Sequence, residues 1–471
     1  MVDCRLTQTK SRFGSIIRDH GGQQMAMIHR RLLVLGLAVG CLSVTLLWAG
    51  VSSETPMKAI AIAPFRFPVD PDAREWLSEG LPRVLALRLQ ALPHVSPTAL
   101  PSLPALAEEQ PGHPLEGDPV APFLERLRGQ GYDVVVFGKF HQLDTVLRAE
   151  VHVWSTQPQR RLGKTIEQSP EKDPDGLGSK IASFIAASLQ VNPSEPEGRR
   201  VGERYTSSPE AFERFTKALM STDPTGTTAD IERAIGLFRE AVALDGKFAM
   251  ALRQLADLYF RQGQYVSAAE MYQAYLQQDK RNAVVYHLLG QAYFAQRDVP
   301  RAIEAYRRGL QLDGRDAQLY VDLGLAYVSQ KDYENATKML LRALEVKPDA
   351  PLAFANLGVV YLLQGNFPAA TASLRRAQFL QGTNATLAYN LGLSLMFEGT
   401  YEAAREQFER ALQLRPEFAA AAYQLALLAE HAEPDQAVDR WRRYIDLAAG
   451  HPGEEAWLSY AQERLDHLQH R

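Results

Sequence analysis

Few side chains in this sequence are spaced for chemistry. The two cysteines, Cys4 and Cys41, both precede residue 42, so the following 430 residues carry no thiol for a disulfide, a zinc site or a nucleophile. His94, His113, His141 and His152 are scattered, with no metal-ligand spacing among them, although His141 and His152 could meet across neighbouring strands as a surface pair. Asp70, Asp72 and Glu75 form a small acidic cluster beside two prolines, which reads as a solvated turn and as charge complement to a helix start. No Gly-rich phosphate loop, Ser-His-Asp set or carboxylate pair occurs. With 51 basic against 55 acidic residues the formal charge is -4, not the basic excess that a phosphate backbone requires. The chain is therefore expected to be no enzyme, to hold no cofactor or metal, and to bind no nucleic acid.

What remains is surface and architecture. At 471 residues, 46% apolar and 23% charged, the chain is an ordinary folding composition with room for roughly three packing units. From Leu32 to Val51 run twenty consecutive uncharged residues, eleven of them Leu or Val, enough for a helix of about 30 Å, the thickness of a hydrocarbon core. His29-Arg30-Arg31 stands before it and Ser52-Ser53-Glu54 after it, so the positive-inside rule keeps residues 1–31 in the cytoplasm and exports the rest. An uncleaved signal anchor at 32–51 is expected; the alternative is cleavage near Val51-Ser52-Ser53 and release into the periplasm. Met25 and Met27 each begin a conventional leader, so the true start is open.

Residues 57–192 read as a small α/β domain. Lys58 to Phe65 is a short apolar strand ending at a proline. Arg74 to Leu92 has helical spacing and should kink or restart at Pro82. Seven prolines between Ser96 and Pro122 imply a meandering loop. A helix then starts at Phe123, Tyr132 to Phe137 is a buried strand, and Leu147 to Ser155 alternates as a half-exposed one. Arg161 to Gln168 is its partner and Gly176 to Leu189 a closing helix. With Ile60-Ala-Ile-Ala-Pro-Phe65, Glu79-Gly80-Leu81 and Val136-Phe-Gly138, this order resembles the TolB amino-terminal-like domain, which implies a contact module without an active site. Residues 193–208, with two prolines and Arg199-Arg200, read as a linker.

From 209 to 452 the chain repeats itself. Leu-Gly recurs at 289–290, 323–324, 357–358 and 391–392, each 34 residues after the last, with Leu255-Ala256 and Leu425-Ala426 in the same register. A second small residue follows twelve positions on, at Ala268, Ala302, Ala336, Ala370 and Ala404, and is expected to pack on the first. A large residue follows at Tyr272, Tyr306, Leu340, Leu374 and Phe408 to fill the flank. Breakers such as Gly314, Pro348, Gly382 and Pro416 end the units. This resembles the tetratricopeptide repeat family, whose aromatic position is matched by Tyr259, Tyr293, Tyr327 and Tyr361. The expected fold is thus an α+β multidomain chain: a transmembrane helix, a small α/β sheet domain, then an all-α tetratricopeptide superhelical solenoid of about seven units, capped by a helix within 453–471.

The resemblance implies stacked helix pairs whose first helices line a concave surface. Residues two places before and after each leucine should project into it: Arg253, Asp257, His287 and Gln291 at a polar end, then Val321, Leu325, Val359, Tyr389 and Leu393, joined a turn later by Leu362 and Phe397. Burial against the neighbouring repeat is the competing reading of the apolar ones. The expected function is a membrane-anchored bacterial protein-protein interaction scaffold on the extracytoplasmic side, binding proteins or peptides through this groove. Alternatives are an accessory factor for envelope secretion or polysaccharide or pilus assembly, or a regulatory part of a glycosyltransferase or cyclase system, which the missing catalytic motifs disfavour.

Overall fold

The computed structural model describes residues 57–65, 75–100, 120–191, 194–222, 227–432, 434–450 and 454–470. The expected leader 1–31 and anchor 32–51 lie outside the described residues, as do Asp70, Asp72 and His113. Among the described residues no helix is long and apolar enough to cross a membrane. The chain divides into two compact units, one ending at Val285 and one starting at Tyr286.

The first unit opens with a five-stranded sheet in the order β2-β1-β3-β4-β5, formed by β1 (Lys58–Ile62), β2 (Val95–Ala99), β3 (Val134–Leu143), β4 (Val146–Thr156) and β5 (Gln159–Pro170). β1 runs parallel to both β2 and β3, and β3, β4 and β5 form an antiparallel meander. Period-two alternation sends Ile60, Ile62, Val134, Val136, Ala149, Val151 and Val153 to one face, under α1 (Glu75–Leu89) and α3 (Pro174–Ser188). Ala61, Ala63 and Val135 point to the other, where Leu124 and Leu127 of α2 (Val120–Gly129) cover them.

Three expectations are corrected here. α1 does not restart at Pro82 but continues through it. The carbonyl that loses its helical donor, that of Ser78, instead accepts the backbone N–H of Phe65 at 3.1 Å. The proline-rich stretch also begins as a strand and not a loop: β2 carries Pro97, tolerated because β2 is at the sheet edge. His141 and His152 do not meet, since His141 lies opposite Arg148 and His152 opposite Phe137.

The segment expected as a linker is built into the unit. Residues 195–202 form α4 (Glu195–Gly202), and Val201 is buried in the same core as the sheet. Buried Arg88 of α1 pairs with buried Asp175 of α3 and donates to the carbonyls of Val201 and Glu203. The other carboxylate oxygen of Asp175 accepts the backbone N–H of Tyr205 and, at 3.1 Å, that of Thr206. One hydrophobic core then runs on into α5 (Pro209–Met220), α6 (Thr228–Leu244) and α7 (Ala249–Arg261), which precedes α8 (Tyr265–Gln278). α1 reaches α5 closely because Gly80 has no side chain: a Cβ there would stand 2.8 Å from that of Thr216.

The second unit takes up the remainder of α9 (Ala283–Ala295) from Tyr286, followed by antiparallel helix pairs. These are α10 (Val299–Leu312), α11 (Ala317–Ser329), α12 (Tyr333–Val346), α13 (Pro351–Leu363), α14 (Phe367–Gln381), α15 (Ala385–Phe397), α16 (Tyr401–Leu414), α17 (Ala419–Ala432) and α18 (Pro434–Ala448). α19 (Glu455–Gln469) packs on α18, and its Arg464 Nε donates to Glu430 at 3.0 Å. Within each pair the glycine of Leu-Gly meets the large residue sixteen positions on, more closely than the expected alanine. A Cβ on Gly358 would lie 2.5 Å from Leu374 Cγ, and one on Gly290 2.4 Å from the Tyr306 ring. Alanines such as Ala336, Ala370 and Ala404 are fully buried beside that contact.

Both close contacts are testable. Gly358→Ala and Ala336→Leu should each destabilise the chain by about 1 to 3 kcal/mol, because neither crossing has space for the added atoms. Thermal unfolding followed by circular dichroism measures this, and an unmoved midpoint in both variants would show the crossings to be looser than described.

Candidate interaction surface

In the second unit α11 packs directly on α13 and α13 on α15, so the first helices of successive pairs form one layer and α12, α14 and α16 the other. The first layer is almost free of charge. Across α11, α13 and α15 the one ionisable acid or base is Asp322, whereas α12, α14 and α16 carry Glu334, Lys338, Arg342, Glu345, Arg375, Arg376, Glu402, Arg405, Glu406, Glu409 and Arg410.

Most of the expected groove side chains are packing residues. Val321, Val359, Leu362, Tyr389 and Leu393 are buried, Leu393 completely. The reason is the direct contact of first helix on first helix, which closes the space that the spacing alone left open. Tyr389 sits against the rings of Phe408 and Phe418, at 5.8 and 5.1 Å between centroids. Leu325 and Phe397 remain half-exposed, and Phe397 stacks on Phe367 at 4.7 Å.

The polar residues divide between the units. Half-buried Arg253 and Asp257 belong to the first, where the Tyr272 hydroxyl donates to Asp257 at 2.6 Å and burial lifts the Asp257 carboxyl above its usual range. In the second unit, buried His287 and Gln291 close on a residue that sequence reasoning passed over, Asp322. His287 Nε2 lies 2.6 Å from Asp322 Oδ2, the Gln291 amide donates to the same oxygen at 3.0 Å, and Gln318 donates to Oδ1 at 2.9 Å. The Asp316 carboxylate stands 4.0 Å from His287 Nδ1, and the Tyr306 ring packs edge-on at 5.9 Å.

Asp322 begins a ladder. Asn356, Asn390 and Gln424 occupy the same position in the next units, each immediately before the leucine of the repeat, and all are buried. The signal in the sequence is a polar residue every 34 positions, set among apolar neighbours. Asn390 Oδ1 and Gln424 Oε1 accept no hydrogen bond among the described residues. Among those residues no group of three His, Cys, Asp or Glu could hold a metal ion. What the arrangement offers, beyond the His287–Asp322 pair, is a layer whose buried polar groups include the amides of Gln291, Asn356, Asn390 and Gln424.

Comparison with known proteins bears on this region. Models described as tetratricopeptide repeat match residues 229–292, 259–324 and 385–418, and one described as TPR repeat matches 324–365. None of these matches falls on the sheet. No curated protein matches the chain. Among solved structures, the chain is similar to Pseudomonas aeruginosa pilF, at 24% identity over 46% of this chain and 97% of that one, with a TM-score of 0.41. It is also similar to a tetratricopeptide repeat protein from Parabacteroides merdae, at 16% identity over 55% and 99%, TM-score 0.43. A third is YrrB, described as a TPR protein with an unusual peptide-binding site, at 20% identity over 40% and 96%, TM-score 0.35.

The His287–Asp322 pair should make stability depend on pH. Burial lowers the imidazole pKa, but the hydrogen bond and charge of Asp322, with the charge of Asp316, outweigh it and raise it above the ordinary 6.5. A folded-state value above the unfolded one stabilises fully below 6.5 and is lost as pH rises through the folded value. The urea midpoint of the natural chain should therefore exceed that of Asp322→Asn by more at about pH 6 than at about pH 9. A difference independent of pH would remove the ion pair from the account.

Proposed function

We propose that this tetratricopeptide repeat protein is an interaction scaffold that holds partner proteins against the first-helix layer of its second unit. The observation that carries this is the segregation of charge: one acid on α11, α13 and α15 against eleven charged residues on α12, α14 and α16. A solvated face of a stable helix ordinarily spends its exposed positions on charged side chains, and a layer without them is suited to an uncharged or apolar polypeptide surface. Because most of its apolar residues are buried, the contact is made by what stays accessible, Leu325 and Phe397 among them.

The scaffold is anchored in this reading by residues 32–51, with the body extracytoplasmic, supported by the uncharged run after Arg30-Arg31. The sheet is a second contact module, similar to the TolB amino-terminal domain in its short apolar motifs. Catalysis has no part in the proposal.

Two experiments test it. Exposed Ser207 replaced by cysteine should react with a membrane-impermeant thiol reagent in outer-membrane-permeabilised cells; labelling only after lysis would reverse the topology. Leu325→Glu with Phe397→Glu should abolish crosslinking to partners in intact cells with a small shift of the unfolding midpoint. Buried Leu362→Glu should instead cost several kcal/mol and collapse the midpoint. Undiminished crosslinking by the first, stably folded variant would exclude this layer as the contact.

A further inference from the structure

Among the described residues, one face of the sheet is covered by a helix only in part. α2 covers its β1 and β3 side, where Phe123 meets Phe137 edge-on at 6.2 Å. Toward β4 and β5 the same face carries Lys139, Arg148, Glu150, His152, Trp154, Arg161, Lys164 and, 54% exposed, Ile166. Glu150 is the sole acid on the strands of this face, and it is already neutralised: Lys164 stands 2.7 Å and Lys139 3.2 Å from its carboxylate, with His152 Nε2 at 3.2 Å. Burial raises the Glu150 pKa, but the hydrogen bonds from Lys164, Lys139 and His152 outweigh that and hold it at about 2. His152 is buried and stacked on Phe137 at 5.5 Å, and burial lowers its pKa, so it adds no charge near neutral pH.

That leaves Arg148 and Arg161 as excess cations, neither in an ion pair among the described residues. Two buried donors on this face also lack acceptors among the described residues, Arg148 Nε and Trp154 Nε1. Both unmet groups are donors, so what completes the face must bring acceptors. They sit six residues apart on β4, about 20 Å along a strand, a distance spanned by an extended chain. β5 is the last strand of the sheet, so its outer backbone groups face no further strand among the described residues. Lys180 donates to the carbonyl of Gln168 at 2.7 Å near one end of that edge, and the side chains of Arg161, Lys164 and Ile166 are exposed along it.

We propose that β4 and β5 form a docking surface for an acidic, extended polypeptide segment that adds along the free edge of β5 and lays its carboxylates toward Arg148 and Arg161. Charge complementarity selects acid, and the open strand edge selects polypeptide, because a peptide backbone can continue the ladder and a nucleic acid cannot. Ile166, centred between Lys164 and Gln168, takes an apolar side chain of the segment, so alternating acidic and apolar residues fit best. The site is independent of the repeat layer, and its failure would leave that reading untouched.

The test uses the full chain and a blocked peptide of about eight alternating Glu and Val residues, with Lys in place of Glu as control. Calorimetric titration should give binding of the Glu peptide, weakened by rising salt, and none of the Lys peptide. Amide hydrogens between Arg161 and Glu167 should exchange more slowly in the complex. Arg148→Ala with Arg161→Ala should weaken binding at least about tenfold, as expected when charged hydrogen bonds are lost. The exposed single variant Arg161→Glu serves if the double variant unfolds. Failure of the Glu peptide to bind, equal binding of both peptides, unchanged affinity in the variants, or tighter binding of a single-stranded oligonucleotide than of the peptide would each overturn the proposal.

Discussion

Gly290, Gly324, Gly358 and Gly392 set the spacing of the second unit, because at each of them a large side chain of the next helix occupies the space of the missing Cβ. Tyr306, Leu340, Leu374 and Phe408 fill those gaps. A side chain added at any of these four glycines would have to displace the partner side chain in an already close-packed crossing. With every pair held close, the first helices come within packing distance of one another, and the layer they form follows from that contact. So does its chemistry: a residue between two first helices has lost its water, which explains why Asp322 is met by His287, Gln291 and Gln318 at once.

The first unit depends on a different device. The Arg88–Asp175 pair is buried on both sides, a costly arrangement unless the remaining donors and acceptors are filled. Apart from Arg88 Nε, which has no acceptor among the described residues, they are met by backbone groups of Val201, Glu203, Tyr205 and Thr206, so the charged pair fixes the path of the chain between sheet and helices. The Arg88 guanidinium also lies over the Tyr205 ring, 3.8 Å from its centroid. This is why the sheet and the first helices share one core where a tether was expected.

The two candidate surfaces differ in kind. The repeat layer is nearly uncharged and mostly closed by its own packing, leaving a narrow accessible strip. The sheet face is cationic, with its acid neutralised internally, on a chain whose formal charge is -4. Net charge therefore says little about either, because the charges that matter are segregated by strand parity and by helix layer.

The repeats were legible because their signal is spacing: Leu-Gly every 34 residues needs no knowledge of the surroundings, and the helix pairs from Ala249 onward follow it. The alternation in β4 was legible for the same reason, since a strand with one buried face writes that face into its sequence. Pro82 and Pro97 misled because a proline's local penalty can be cancelled from a distance, at Pro82 by Phe65 donating to the vacated Ser78 carbonyl and at Pro97 by an edge position. The groove misled because spacing tells which residues share a helix face but not how near the next helix comes. Val359, Leu362 and Leu393 are apolar whether buried or open, and only the approach of neighbouring first helices decided that they are buried. The orphaned donors of Arg148 and Trp154 could not be read at all, since a missing partner is a property of three-dimensional surroundings and leaves no mark in the order of residues.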